Sequence, residues 1–163
     1  MTKNQDISLP QPPPVTDSQA VFEKQLSNML WMEKMLIRTL PKMMELSESA
    51  DFIEVMRIQH KIAKSHVVKL EEVFKLMRKN GESARSEPMD VLLAEIEQIF
   101  TDSVSGSGRD QKFRLCLEAI EQFQVNAYTN LIKTSKNIGL KTASPILTDV
   151  LDQEKEVLRS LKA

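Results

Sequence analysis

Apolar residues recur at three- and four-residue spacing over four long stretches of the chain, as expected of helices that each bury one face. In the first stretch, counting about 100° per residue, Phe22, Leu26, Met29, Leu30, Ile37, Leu40 and Met44 fall within about 60° of one line. Glu33 falls on that same line, where an apolar side chain belongs. Thr16, Asp17 and Ser18 offer capping oxygens just before the pattern, so a first helix is expected over about 18–47, with Pro41 able to kink its last turns. Trp31 and Met35 lie opposite Glu33, out of reach of a bundle core, and a crossover segment or a dimer partner is expected to cover them.

After a break at Ser47 to Ala50, the second stripe reads Phe52, Met56, Gln59, Ala63, Val67, Leu70, Phe74 and Met77, and Asn80-Gly81 is read as its end. Its polar member is Gln59. His60 and His66 lie about 60° to either side of this stripe. Helical metal-binding histidine pairs converge at i, i+3 or i+4, so these two are read as boundary residues. Residues 81–109 hold a short amphipathic run, Val91 to Phe100, then a segment from Ser103 to Gly108 read as flexible. A connection of that length lets the third long helix run parallel to the second.

The third stripe, over about 109–137, reads Phe113, Cys116, Leu117, Ile120, Gln124, Ala127, Leu131 and Ile138, flanked by Glu121 and Tyr128 and closed by Gly139. The fourth is expected to start at Ser144-Pro145, with Pro in the first helical position, and reads Leu147, Val150, Leu151, Glu154, Val157, Leu158 and Leu161. Each long helix therefore carries one Glu or Gln within its stripe: Glu33, Gln59, Gln124 and Glu154. In a four-helix bundle these should meet in one buried layer. An unpaired carboxylate there costs on the order of several kcal/mol, so it has to be protonated, hydrogen-bonded or metal-bound. Gln59, Gln124 and Glu154 are the expected partners of Glu33, with a carboxyl proton shared.

Composition narrows the choices. A chain of 163 residues, 41% hydrophobic, suits one domain, and four Gly, nine Met and 5% aromatics favour an all-α fold. Twenty-two basic against twenty-three acidic residues leave a net charge of −1 and no field to draw in nucleic acid or a membrane surface. No run approaches the roughly 20 apolar residues that a spanning helix needs. The one cysteine, Cys116, excludes an internal disulfide, and with no signal-like apolar run at the N-terminus a cytoplasmic location is expected. Residues 1–17, including Leu9-Pro10-Gln11-Pro12-Pro13-Pro14-Val15, are expected to be a disordered Pro-rich tail ahead of a bundle domain at 18–163. Cys116 falls on an apolar face, and there is neither a phosphate-binding glycine loop nor zinc-ligand spacing, so nucleophilic catalysis is not expected.

From Phe22 to Leu161 the chain resembles the ferritin-like bacterial proteins of the YciE/YciF stress-associated type. The residues that carry the resemblance are Met32-Glu33-Lys34, Leu40-Pro41-Lys42-Met43, Leu70-Glu71-Glu72-Val73-Phe74, Glu121 to Tyr128, and Leu151-Asp152-Gln153-Glu154-Lys155. The resemblance implies an up-down-down-up four-helix bundle with a long B–C crossover carrying a short helix, a homodimer, and an internal two-metal site. Glu33, Glu121 and Glu154 match acids of that site. Gln59 and Ile62 stand where it has His and Glu on the second helix, or His60 enters instead if the match slips by one residue; Gln122-Phe123-Gln124 replaces His-Tyr-Glu, and Leu158 replaces an acid.

Amides and alkyl groups in place of imidazoles and carboxylates weaken a site for two cations. The expectation is therefore a non-catalytic stress-associated bundle with a largely lost metal site and no cofactor, acting through self-association or contacts with other proteins. The alternative is a residual metalloprotein with iron or manganese on Glu33, Glu121 and Glu154, for oxidation or peroxide chemistry. A shell that protects DNA would need a basic patch, which this chain lacks.

Overall fold

Five helices account for the structure, with no strand among the described residues: α1 (Asp17–Leu46), α2 (Ala50–Leu76), α3 (Glu87–Thr101), α4 (Gly106–Asn137) and α5 (Ala143–Lys162). The computed structural model describes residues 17–102 and 106–163. The expected Pro-rich tail up to residue 16 lies outside them. Short turns make α1 antiparallel to α2 and α4 antiparallel to α5. Helix α3 occupies the crossover between the two hairpins, so α4 begins beside the start of α2 and runs parallel to it. Helix α1 packs on α2 and α4, and α5 packs on the same two, giving an all-α, up-down-down-up bundle.

The parallel pairing of α2 and α4 has a visible anchor. Asp110, in the first turns of α4, accepts the Ser49 N–H at 2.8 Å and the Glu48 N–H at 3.1 Å. Those amides precede α2 and have no helical carbonyl to bond. The segment Gly106-Ser107-Gly108, expected to be flexible, is instead the first turn of α4.

Helix ends differ from the sequence expectation in two places. Helix α2 stops at Leu76, before Asn80-Gly81, because Arg78 takes a left-handed conformation (φ 57°). The Lys79 N–H then bonds Phe74 O at 3.0 Å and the Arg78 N–H bonds Lys75 O at 2.9 Å, so the last carbonyls are already satisfied. The same closure ends α4 with Gly139 (φ 78°) in the left-handed position. Helix α5 begins at Ala143, two residues before Pro145, which therefore sits third in the helix.

Pro41 lies inside α1 without ending it. Proline has no N–H, so it leaves the Ile37 carbonyl without its usual donor. His60 of α2 supplies one, its Nε2 lying 3.1 Å from Ile37 O. The buried face of α1 is also wider than its stripe. Met32, Leu36, Thr39 and Met43 are buried, whereas Ile37 and Met44 are half-buried, because α3 covers that flank. Met35 lines a groove between α1 and α3 with Thr39 and Leu93, so the crossover segment is what reaches it.

The core forms two apolar clusters. One contains Leu36, Met56, Phe113, Ile120 and Val157, and the other Leu30, Leu70, Leu131, Leu147 and Val150. Between them lies a layer of polar side chains.

Candidate metal centre

The layer is built from Glu33 of α1, Gln59 and His66 of α2, Glu121 and Gln124 of α4, and Glu154 of α5, none more than 2% exposed. Helical spacing explains how residues of one helix share a face toward the layer. Glu121, Gln124 and Tyr128 sit three and four residues apart on one face of α4, and Gln59 and His66 sit two turns apart on α2.

Glu33 stands at the centre. Its Oε1 accepts from the Tyr128 hydroxyl at 2.7 Å and from the Gln124 amide at 3.1 Å, and faces His66 Nδ1 at 3.2 Å. The same Nδ1 lies 2.9 Å from Glu154 Oε1. On the other side of the ring, His66 Nε2 is 2.8 Å from Gln153 Oε1. Tyr128 and His66 also meet edge to face, with centroids 6.3 Å apart. The expected Gln59–Glu33 bond is absent among the described contacts; the Gln59 amide donates to Glu121 Oε1 instead.

Burial on this scale forces the protonation states apart. Desolvation, reinforced by the charge of Glu154, pushes the Glu33 carboxyl up to about 7. Desolvation and Glu154 hold Glu121 well above the ordinary carboxyl range. For Glu154 burial acts upward too, but hydrogen bonds with Glu121 and His66 outweigh it and lower the group. Burial alone would depress His66; its hydrogen bonds to Glu154 and Glu33, with their charges, instead raise it to about 10. Without a cation, then, the layer is a His66–Glu154 ion pair beside two carboxyls that tend to keep their protons.

Glu33, His66 and Glu154 each offer a ligand atom, and these atoms lie within 4.8 Å of one another. Around them the carbonyl oxygens of Gln59 and Gln124 have no donor among the described contacts, while the Glu33 and Glu121 carboxyls hydrogen-bond with Glu154. An oxygen-rich donor set with one imidazole suits a divalent cation of the iron or manganese kind. Of the acids expected as ligands, Glu33 and Glu154 belong to the converging trio. Glu121 is buried in the layer on the Gln59 side, outside the trio.

His66 is the residue that sequence reasoning missed. Far from being a boundary residue, it is fully buried at the centre of the layer. A signal did exist: seven residues after Gln59 is two helical turns, which brings His66 within about 20° of Gln59. His60, by contrast, is half-buried at the α1–α2 boundary.

Residues 17–163 match the family described as a domain of unknown function, DUF892. The chain belongs to the DUF892 family. This DUF892 chain is similar in structure to YcfI from Rhodopseudomonas palustris, with a TM-score of 0.87 at 18% identity, covering 94% of this chain and 98% of that one. It is similar also to the Escherichia coli stress protein YciF, with a TM-score of 0.84 at 18% identity, covering 90% and 93% of the two chains. These likenesses support the ferritin-like, YciE/YciF-type fold. No curated protein matches the chain significantly in sequence. Among the described residues no helix is long and apolar enough to cross a membrane.

Proposed function

We propose that this DUF892 protein is a ferritin-like metalloprotein that holds one divalent cation, iron or manganese, in its central layer. The observation that carries this reading is His66 Nδ1, which faces the carboxylate oxygens of Glu33 and Glu154 at 3.2 and 2.9 Å. A bare nitrogen lone pair against two anionic oxygens is repulsive, so a positive charge must lie between them, either a proton or a metal ion. Three carboxyl groups crowded around it, with two amide oxygens that lack a donor among the described contacts, favour a metal, which can take several lone pairs at once. Glu33, His66 and Glu154 would hold it, with Glu121 available alongside.

Gln59, Ile62, Gln124 and Leu158 remove the charge and donors that a second ion would need, so the reading is for one ion. An iron ion bound there supplies one-electron chemistry toward dioxygen or peroxide. Tyr128 and Gln124 orient Glu33, and the apolar clusters on both sides exclude bulk water. The likeness to a protein described as a stress protein supports a stress-associated role.

The test is metal analysis of protein purified without chelator, with thermal melts in added ferrous or manganous ion. One equivalent should bind, and at a hundredfold excess over Kd the melting temperature should rise by roughly 5–10 °C. His66→Ala should abolish the rise. A wild-type melt indifferent to both ions would sink the reading.

A second reading is favoured by the charge balance of the layer itself. With Glu33 and Glu121 protonated against the His66–Glu154 pair, no net charge remains. The protein would then be a non-catalytic bundle acting through self-association, as a homodimer, or through protein contacts. Metal-free protein with an unshifted melt, and a dimer in sedimentation, would favour it.

A further inference from the structure

Gln153 sits on α5 beside Glu154, half-buried at the edge of the layer, and its Oε1 receives two neighbours from α2. His66 Nε2 lies 2.8 Å away and Lys69 Nζ 3.4 Å away. An ammonium group can only donate, so the amide end it faces must be the carbonyl oxygen. That oxygen in turn can only accept, so His66 Nε2 must carry a proton. Nδ1 is then the nitrogen presented to Glu33 and Glu154. Three residues in series thus connect a half-buried lysine to the chemistry of a buried imidazole.

We infer that Gln153, oriented by Lys69, is a positioning residue that holds His66 with Nε2–H outward and Nδ1 facing the carboxylates, so that Nδ1 is the atom offered to a cation. The consequence for metal affinity rests on the reading above; the orientation of the ring does not. Lys69 acts at one remove, since its ammonium disfavours a Gln153 amide turned with its NH2 group toward His66 and Lys69. In that arrangement Nε2 would have to accept, and Nδ1 would carry the proton and lose its lone pair.

The experiment uses the full chain labelled with 15N at histidine, metal-free and then loaded with Zn2+ as a diamagnetic probe, and compares Gln153→Leu, Gln153→Glu and Lys69→Met with wild type. In metal-free wild type, the His66 Nε2–H should appear as a protected, slowly exchanging resonance. Gln153→Leu should abolish that protection, whereas Gln153→Glu, which keeps an acceptor oxygen, should restore it. Lys69→Met should weaken it. With Zn2+ the wild-type ring should show Nε2–H and a metal-shifted Nδ1, and Gln153→Leu should bind roughly 10–100-fold more weakly. A Gln153→Leu spectrum with the wild-type Nε2–H resonance and protection overturns the inference, whether or not zinc binds. Failure of the wild type to bind any of the ions, with the metal-free spectra behaving as described, overturns the metal reading and leaves the positioning role supported.

Discussion

Glu33 and His66 concentrate the electrostatic tension of the molecule, and their shifts predict how stability follows pH. Glu33 rises from an ordinary 4.5 to about 7 on folding, so the native state binds its proton more tightly than the unfolded chain does. Its stabilising contribution is complete below 4.5 and is lost as pH rises toward 7. His66 rises from 6.5 to about 10, so its contribution is complete below 6.5 and is lost as pH rises through 10. Glu154 is shifted the other way and contributes above its ordinary range, losing that share only in acid. Metal-free protein, kept in chelator at constant ionic strength, should therefore show a higher urea midpoint at pH 5.5 than at pH 9. A midpoint that is flat or rises over that interval would contradict the charge states assigned to the layer.

Helix α1 runs through Pro41 with the help of a neighbour. A carbonyl deprived of its donor inside a packed helix costs about 1 kcal/mol or more unless another group bonds it, and His60 is placed to do so at Ile37 O. His60→Ala should accordingly lower stability by about 1 kcal/mol. In a Pro41→Ala background residue 41 regains an N–H that can reach Ile37 O, so the same His60→Ala change should cost much less. A double-mutant cycle should give a coupling of about 0.5–1 kcal/mol, and strictly additive losses would show that His60 does not serve this carbonyl. The helix ends teach a related point. Gly139 marks a real left-handed closure, but Gly81 does not, because Arg78 had already closed α2 three residues earlier. Glycine is favoured at such positions by sterics, and an arginine can occupy one when two backbone hydrogen bonds hold it there.

For the whole bundle, the crossover determines which helices can meet. Helix α3 carries the chain so that α4 starts beside α2, and Asp110 secures that start by accepting the two amides ahead of α2. Asp110→Ala would leave both amides without an acceptor in a part-buried place and should cost about 1–3 kcal/mol. Asp110→Asn, which keeps one acceptor oxygen, should cost less. Urea unfolding monitored by circular dichroism would measure both, and an unchanged midpoint for the alanine variant would mean that the anchor contributes nothing. The same arrangement brings Glu33, His66, Glu121 and Glu154 to one level from four helices that are far apart in the chain.

How much of this was legible beforehand follows from the range of each interaction. The stripes of Phe22 to Leu40, Phe52 to Phe74, Phe113 to Leu131 and Leu147 to Leu161 are local patterns, because a helix exposes and buries its residues with its own period. They suffice for four long helices, for a long connection with a short helix in it, and for Glu33, Gln59, Gln124 and Glu154 as polar residues on buried faces. Which of those polar groups touch is not a local matter. His66 lies near the edge of its own stripe, and only the approach of Glu33 from α1 and Glu154 from α5 makes it the centre of the layer. Gln59 turns to Glu121 rather than Glu33 for the same reason: helix rotation and height are set by the packing of all the helices together. By itself the sequence determined the helices and the presence of buried polar groups. The tertiary structure alone decided their partners, and with them which oxygens were left without a donor, because those depend on distances across the core.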